Sequence, residues 1–115
     1  MGRHIRIRFQ KMAAVNKMVL QKDDIKKVIT EYFSQKPVNR VWLFGSYARG
    51  DADEASDVDV LVDVDNSKNV GLDYFGWHMD LAKKINKKVD VVSYGWVNKR
   101  LWPYIQKDMT LIYEK

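Results

Sequence analysis

Apolar residues recur at Ile25, Val28, Ile29, Tyr32 and Phe33. The spacing i, i+3, i+4, i+7, i+8 predicts an amphipathic helix over Asp24–Phe33. Asp23 is placed to cap it, and Pro37 ends it. The pattern then changes. Val38–Phe44 reads as a largely apolar strand, with Trp42 as a core residue. From Asp57 onward, Val58, Val60, Val62 and Val64 alternate with Asp57, Asp59, Leu61, Asp63 and Asp65, the period-two signature of a strand over Asp57–Val64. Asn66–Asn69 is a loop. Leu72, Phe75, Met79, Ala82 and Ile85 mark a second helix, with Lys83, Lys84, Lys87 and Lys88 near its C-terminal end, where the helix dipole favours cations. Lys88–Ser93 is a third strand. Leu101–Lys107 is a short helix with Pro103 in its first turn, and Met109–Tyr113 is a fourth strand. Strands separated by helices predict an α/β fold, a small mixed β-sheet with helices packed on it.

The second strand carries candidate chemistry. Its alternation sends Asp57 and Asp59 to the same face, roughly 6.5–7 Å apart along the strand. Paired carboxylates suit Mg²⁺, which usually takes one or two acidic ligands and completes its shell with water and phosphate oxygens. Seven carboxylates fall between Asp51 and Asp65, with no Lys or Arg between Arg49 and Lys68. Such crowding raises pKa values unless a cation offsets it. Asp51, Asp53, Glu54 and Asp65 read as solvated acids, and Asp57 and Asp59 as the metal pair.

Gly45-Ser46, at the end of the first strand, precedes Asp57 with ten residues between them. A helical turn beginning at Ser46 would offer unpaired N–H groups and a positive dipole end. Gly45 would let a phosphate approach the backbone, Ser46 adds a hydroxyl, and Arg49 lies one turn on, able to pair with the same phosphates. A third acid, Asp90, sits in the third strand between apolar neighbours. If that strand pairs beside the second, Asp90 joins Asp57 and Asp59 on one face. Three acids can hold two metals, and one can accept a proton from an attacking hydroxyl.

Gly45-Ser46-x10-Asp57-x-Asp59 followed by Asp90 resembles the DNA polymerase β-like nucleotidyltransferase superfamily. The fuller string Val41–Ala52, then Ser56–Val62, is similar to the minimal nucleotidyltransferases (MNT proteins) of bacteria and archaea. The resemblance spans Met18 to the C-terminus and implies a polymerase β palm-like fold. It implies that Gly45 and Ser46 bind a nucleoside triphosphate, that Asp57 and Asp59 hold Mg²⁺, and that Asp90 completes the triad, with two ions expected and ATP as substrate. Many family members are antitoxins paired with a helical HEPN-type RNase toxin, and some transfer AMP onto a tyrosine of that toxin. A protein acceptor is therefore expected. The alternatives are a small molecule such as an aminoglycoside, or a non-catalytic binding antitoxin. Relatives commonly carry Arg directly after Gly-Ser, where this chain has Tyr47. The change removes one possible phosphate contact and leaves Arg49 as the nearest cation.

Charge adds one qualification. The net +5 comes from Arg3, Arg6, Arg8, Lys11 and Lys17, and the remainder holds 15 basic and 15 acidic residues. A basic leader over residues 1–17 is expected ahead of a domain over 18–115, with Met18 as the natural start. The alternative is a basic arm touching RNA or a partner. The neutral domain itself gives no electrostatic reason to bind nucleic acid. The chain has no cysteine, which fits a reducing cytoplasmic setting. His4 and His78 are far apart in sequence, so a zinc site is not expected, and His78 reads as a helix-surface residue. No apolar run approaches the roughly 20 residues of a membrane span. Trp96 and Trp102, with Tyr94 and Tyr104, cluster near the C-terminus, either as ordinary packing or as a protein-binding surface.

Overall fold

The computed structural model describes residues 21–68 and 70–115; the leader expected over residues 1–17 lies outside them. Helix α1 (Lys22–Phe33) leads to β1 (Val38–Phe44), the one-turn helix α2 (Ser46–Arg49) and β2 (Val58–Val64). Helix α3 (Asp73–Ile85), β3 (Val89–Ser93), a 3₁₀ turn at Tyr94–Trp96, α4 (Trp102–Asp108) and β4 (Thr110–Glu114) follow. The sheet order is β3-β2-β1-β4. β1 is antiparallel to both β2 and β4, and β2 is parallel to β3. The expected mixed sheet is therefore present. No helix among the described residues is long and apolar enough to cross a membrane.

Strand alternation gives the sheet two different faces. Val41 and Leu43 of β1, Val58, Val60 and Val62 of β2, and Val89 of β3 point into the main core. Helices α1 and α3 cover that face with Ile25, Ile29, Phe33, Trp77, Leu81 and Ile85. Trp42 and Leu61 occupy the intervening positions and face the other way, where Ile105 of α4 buries them. Trp42 is thus a core residue, as expected, but of a second, smaller core.

Two expectations change. Asp23 does not cap α1. The helix starts two residues earlier, Gln21 stands at the N-cap without a side-chain cap bond, and Asp23 lies in the first turn, where its charge still meets the positive dipole end. On α3, of the residues that mark the helix only Ile85 is buried, while Leu72, Phe75 and Met79 are exposed. The buried stripe is Trp77, Leu81 and Ile85. This helix is apolar on two faces, so its period identifies a helix without choosing the side that meets the sheet.

Candidate active site

The β1–β2 register places the two halves of the sequence motif side by side. Phe44, the last residue of β1, pairs with Asp59 of β2, so Gly45 leaves the sheet directly beside that carboxylate. Gly45 has φ +77°, and a Cβ there would collide with Asp59 Oδ2. Glycine is required on both counts: L side chains disfavour this backbone region, and the acid occupies the space. The chain then turns into α2, where Ala48 and Arg49 donate their N–H groups to Gly45 O at 3.0 Å each. The first amides of a helix have no intrahelical acceptor, which in α2 leaves those of Ser46 and Tyr47 to face a ligand at Gly45.

The third acid arrives through the parallel ladder. Asp59 and Asp90 are register partners of β2 and β3, on strands about 4.8 Å apart. Asp57, expected as the first residue of the strand, lies just outside it, immediately before β2, and Lys88 Nζ lies 3.8 Å from its Oδ2. Asp59 is half-buried. Burial first, then the charges of Asp90 and Asp57, push its carboxyl up to about 6, against the opposing pull of Arg49 and Lys88. A carboxylate raised in this way gains from a cation that offsets its neighbours.

Of the other acids of the Asp51–Asp65 run, Asp53, Asp63 and Asp65 have partners outside the cavity wall. Asp63 accepts from Arg40 Nη2 at 2.9 Å, and Asp65 accepts from the Ser67 N–H and hydroxyl at 3.0 and 2.6 Å. Asp53 accepts from the Ala55 N–H at 2.9 Å, ordering the loop before β2. Among the described residues, no three acidic or histidine side chains converge into a ready-made metal cage. Asp57 and Asp59 can still supply the one or two carboxylates that Mg²⁺ takes from a protein when substrate phosphates complete its shell.

A cavity of about 770 Å³ opens over these groups, with Gly45, Asp59 and Asp90 at its wall. Arg49 also lines it, but two carboxylates engage its guanidinium: Nε donates to Asp51 at 3.1 Å and Nη1 to Asp108 at 2.9 Å. Ser46 and Asp57 border the motif without lining the cavity. Tyr47 points elsewhere. It is buried in the main core, with a hydroxyl that finds no partner among the described residues. The side chain at position 47 is therefore packing against the core and is not positioned as a phosphate contact.

Residues absent from the sequence-based site complete the cavity. His78 of α3, exposed as expected, stands at its edge, and Trp96, Tyr104 and Asp108 form part of its wall. The sequence signal for Trp96 and Tyr104 was the C-terminal aromatic cluster; His78 and Asp108 had none that pointed to the site. The structure divides that cluster: Trp102 packs into the second core beside Trp42, whereas Trp96 and Tyr104 are exposed.

A mixed sheet bearing Gly-Ser at a strand end and Asp59 paired with Asp90 on adjoining strands defines a nucleotidyltransferase palm. The profile of the family "Polymerase beta, Nucleotidyltransferase" matches residues 26–115, and the chain belongs to that family. It is a nucleotidyltransferase of the minimal, MNT type. It is 34% identical over 79 residues to a Methanocaldococcus jannaschii protein provisionally named a protein adenylyltransferase, the match covering 69% of this chain and 84% of the relative. A solved minimal nucleotidyltransferase superposes with TM-score 0.65 at 26% identity, over 79% of this chain and 95% of that one. The fold also matches a chain from the complex of a tri-AMPylated Shewanella oneidensis HEPN toxin with MNT antitoxin, with TM-score 0.62 at 16% identity, over 82% and 73% of the two chains.

Proposed function

We propose that this protein transfers AMP from ATP to a hydroxyl of a protein partner, and that the partner is a HEPN-type toxin for which it serves as antitoxin. The observation that carries the transfer chemistry is the pairing of Asp59 with Asp90 beside the side-chain-free backbone of Gly45. The provisional naming of its relative as a protein adenylyltransferase and the AMPylated toxin in the fold match support a protein acceptor.

Gly45 and the first amides of α2 would receive the triphosphate, with the Ser46 hydroxyl as a further donor. Arg49 would contribute by exchanging Asp51 or Asp108 for a phosphate oxygen. Asp57 and Asp59 would hold Mg²⁺, joined by Asp90 if a second ion binds; bound metal would offset charge on the phosphates and on the leaving pyrophosphate. Asp90 would accept the proton of the acceptor hydroxyl. The acceptor oxygen then bonds to the α-phosphorus in line with the departing pyrophosphate. Catalysis of this kind rests on positioning and electrostatic stabilisation.

The test combines the protein with the product of its neighbouring gene, ATP and Mg²⁺, and weighs both chains intact. AMP increments on the partner, absent with Asp57→Asn, are expected. A stable complex without any increment would overturn AMP transfer in favour of a binding antitoxin. AMP found on an added aminoglycoside, with the partner unmodified, would overturn the protein acceptor.

A further inference from the structure

The four tryptophans differ sharply in environment. Trp77 is 1% exposed and Trp42 7%, and Trp102 is half-buried in the second core. Trp96 is 82% exposed. A packed tryptophan removes about 150–250 Å² from water, so an open indole forgoes much stabilisation.

Its position is nevertheless held on both sides. Trp96 closes the 3₁₀ turn that Tyr94 begins. The Tyr94 ring stacks on Trp42 at 5.2 Å and 20° and meets Trp102 edge-on at 5.3 Å. The Arg40 guanidinium lies 4.9 Å from the Trp42 ring and 5.5 Å from that of Tyr94. On the other side, Val97 packs against the second core. The backbone that presents Trp96 is thus anchored two residues before it and one residue after it.

Trp96 and Tyr104, itself 72% exposed, line the same cavity as Gly45, Asp59 and Asp90. Among the described residues neither ring is paired with another aromatic ring. The segment that carries Asp90 runs on through Val91 and Val92, also in the cavity wall, to Trp96. The cavity wall therefore combines carboxylates and a glycine, suited to metal and phosphate, with two exposed aromatic rings. A nucleotide carries the two matching kinds of group, charged phosphates and a flat base. A volume of about 770 Å³ falls within the roughly 300–1,000 Å³ of small-ligand sites.

We infer that Trp96 is the stacking platform for the nucleobase, with Tyr104 as a second aromatic wall; this rests on the nucleotidyl-transfer reading of the site. Stacking uses the face of the base, not its hydrogen-bonding edge, and every base has such a face. The platform consequently fixes the nucleotide's orientation while discriminating little between ATP and GTP.

Calorimetric titration with Mg·ATP, Mg·GTP and Mg·tripolyphosphate, which has no base, tests the assignment on wild type, Trp96→Leu and Trp96→Phe. Trp96→Leu is expected to weaken ATP and GTP binding by about five- to hundredfold, the range of a base–aromatic stack, and to leave tripolyphosphate unchanged. Trp96→Phe should retain most of the affinity. Circular dichroism confirms that these exposed-site variants fold. Unchanged ATP affinity in Trp96→Leu overturns the platform while leaving nucleotidyl transfer standing, including the case where that variant loses partner binding instead. Wild type binding ATP no more tightly than tripolyphosphate does the same. Wild type binding none of the three would overturn both readings.

Discussion

The Asp59 carboxylate fills the space that a side chain on Gly45 would need. The two residues are neighbours because Phe44 pairs with Asp59 across the antiparallel β1–β2 ladder. Gly45→Ala meets both this collision and a backbone φ of +77°. Left-handed or strained backbone costs on the order of 1–3 kcal/mol for a residue with a Cβ. Urea denaturation should show a loss of that size, together with loss of nucleotidyl transfer. Adding Asp59→Ala to Gly45→Ala should recover part of the stability, since the steric part of the cost is a coupling between the pair. Strict additivity would show that the collision is relieved some other way.

Asp59 makes the metal-free protein less stable when ionised. Its carboxyl is raised to about 6 by burial and by the charges of Asp90 and Asp57, against an unfolded value near 3.9. The folded state thus holds this proton more tightly than the unfolded chain. The resulting stability is fully present below pH ~4 and is lost as pH rises through about 6. Asp59→Asn should remove that dependence and raise stability at pH 7. After discounting for solvent at a half-exposed site, a gain on the order of 1 kcal/mol is expected, or about 4–8 °C in Tm for a domain of this size. Thermal melts from pH 4 to 8 without metal check the sign; a Tm that falls on substitution at pH 7 contradicts it. Added Mg²⁺ with nucleotide should reverse the order of the two proteins.

Tyr47 buries a hydroxyl that has no partner among the described residues. Removing an unsatisfied buried polar group relieves a cost of about 1–3 kcal/mol. Tyr47→Phe should therefore be neutral to stabilising and should leave nucleotide affinity unchanged. Reduced affinity for Mg·ATP in this variant would mean that position 47 does contact the phosphates.

Arg49 divides its guanidinium between Asp51 and Asp108. A phosphate must compete with these acids for it. Asp108→Asn weakens the competitor whose side chain is largely buried, leaving the exposed Asp51. Nucleotide affinity should then rise, measured by calorimetry, and Arg49→Ala should abolish the gain. Weaker binding in Asp108→Asn would assign the ion pair a structural role in holding α4 against the site.

Much of this protein was legible along the chain because its signals are local. Strict alternation specified β2, with Asp59 within it and Asp57 immediately before it. Pro37 and the spacing of Ile25, Ile29 and Phe33 specified α1 and its buried side, and Gly45-Ser46 before Asp-x-Asp marked the site by type and separation. What depended on packing was not legible. Helix α3 offered two apolar stripes, and only the surface of the sheet chose Trp77 and Leu81 over Phe75 and Met79. Tyr47 follows the Gly45-Ser46 pair in sequence, yet the turn of α2 directs it into the core. The meeting of Asp90 with Asp59 depended on a parallel register across a helical crossover, and Trp96, Tyr104 and Asp108 joined the cavity only when α4 closed over the second face. Local sequence determines which residues can share a face of one element; which elements face one another is settled only by burying them all together.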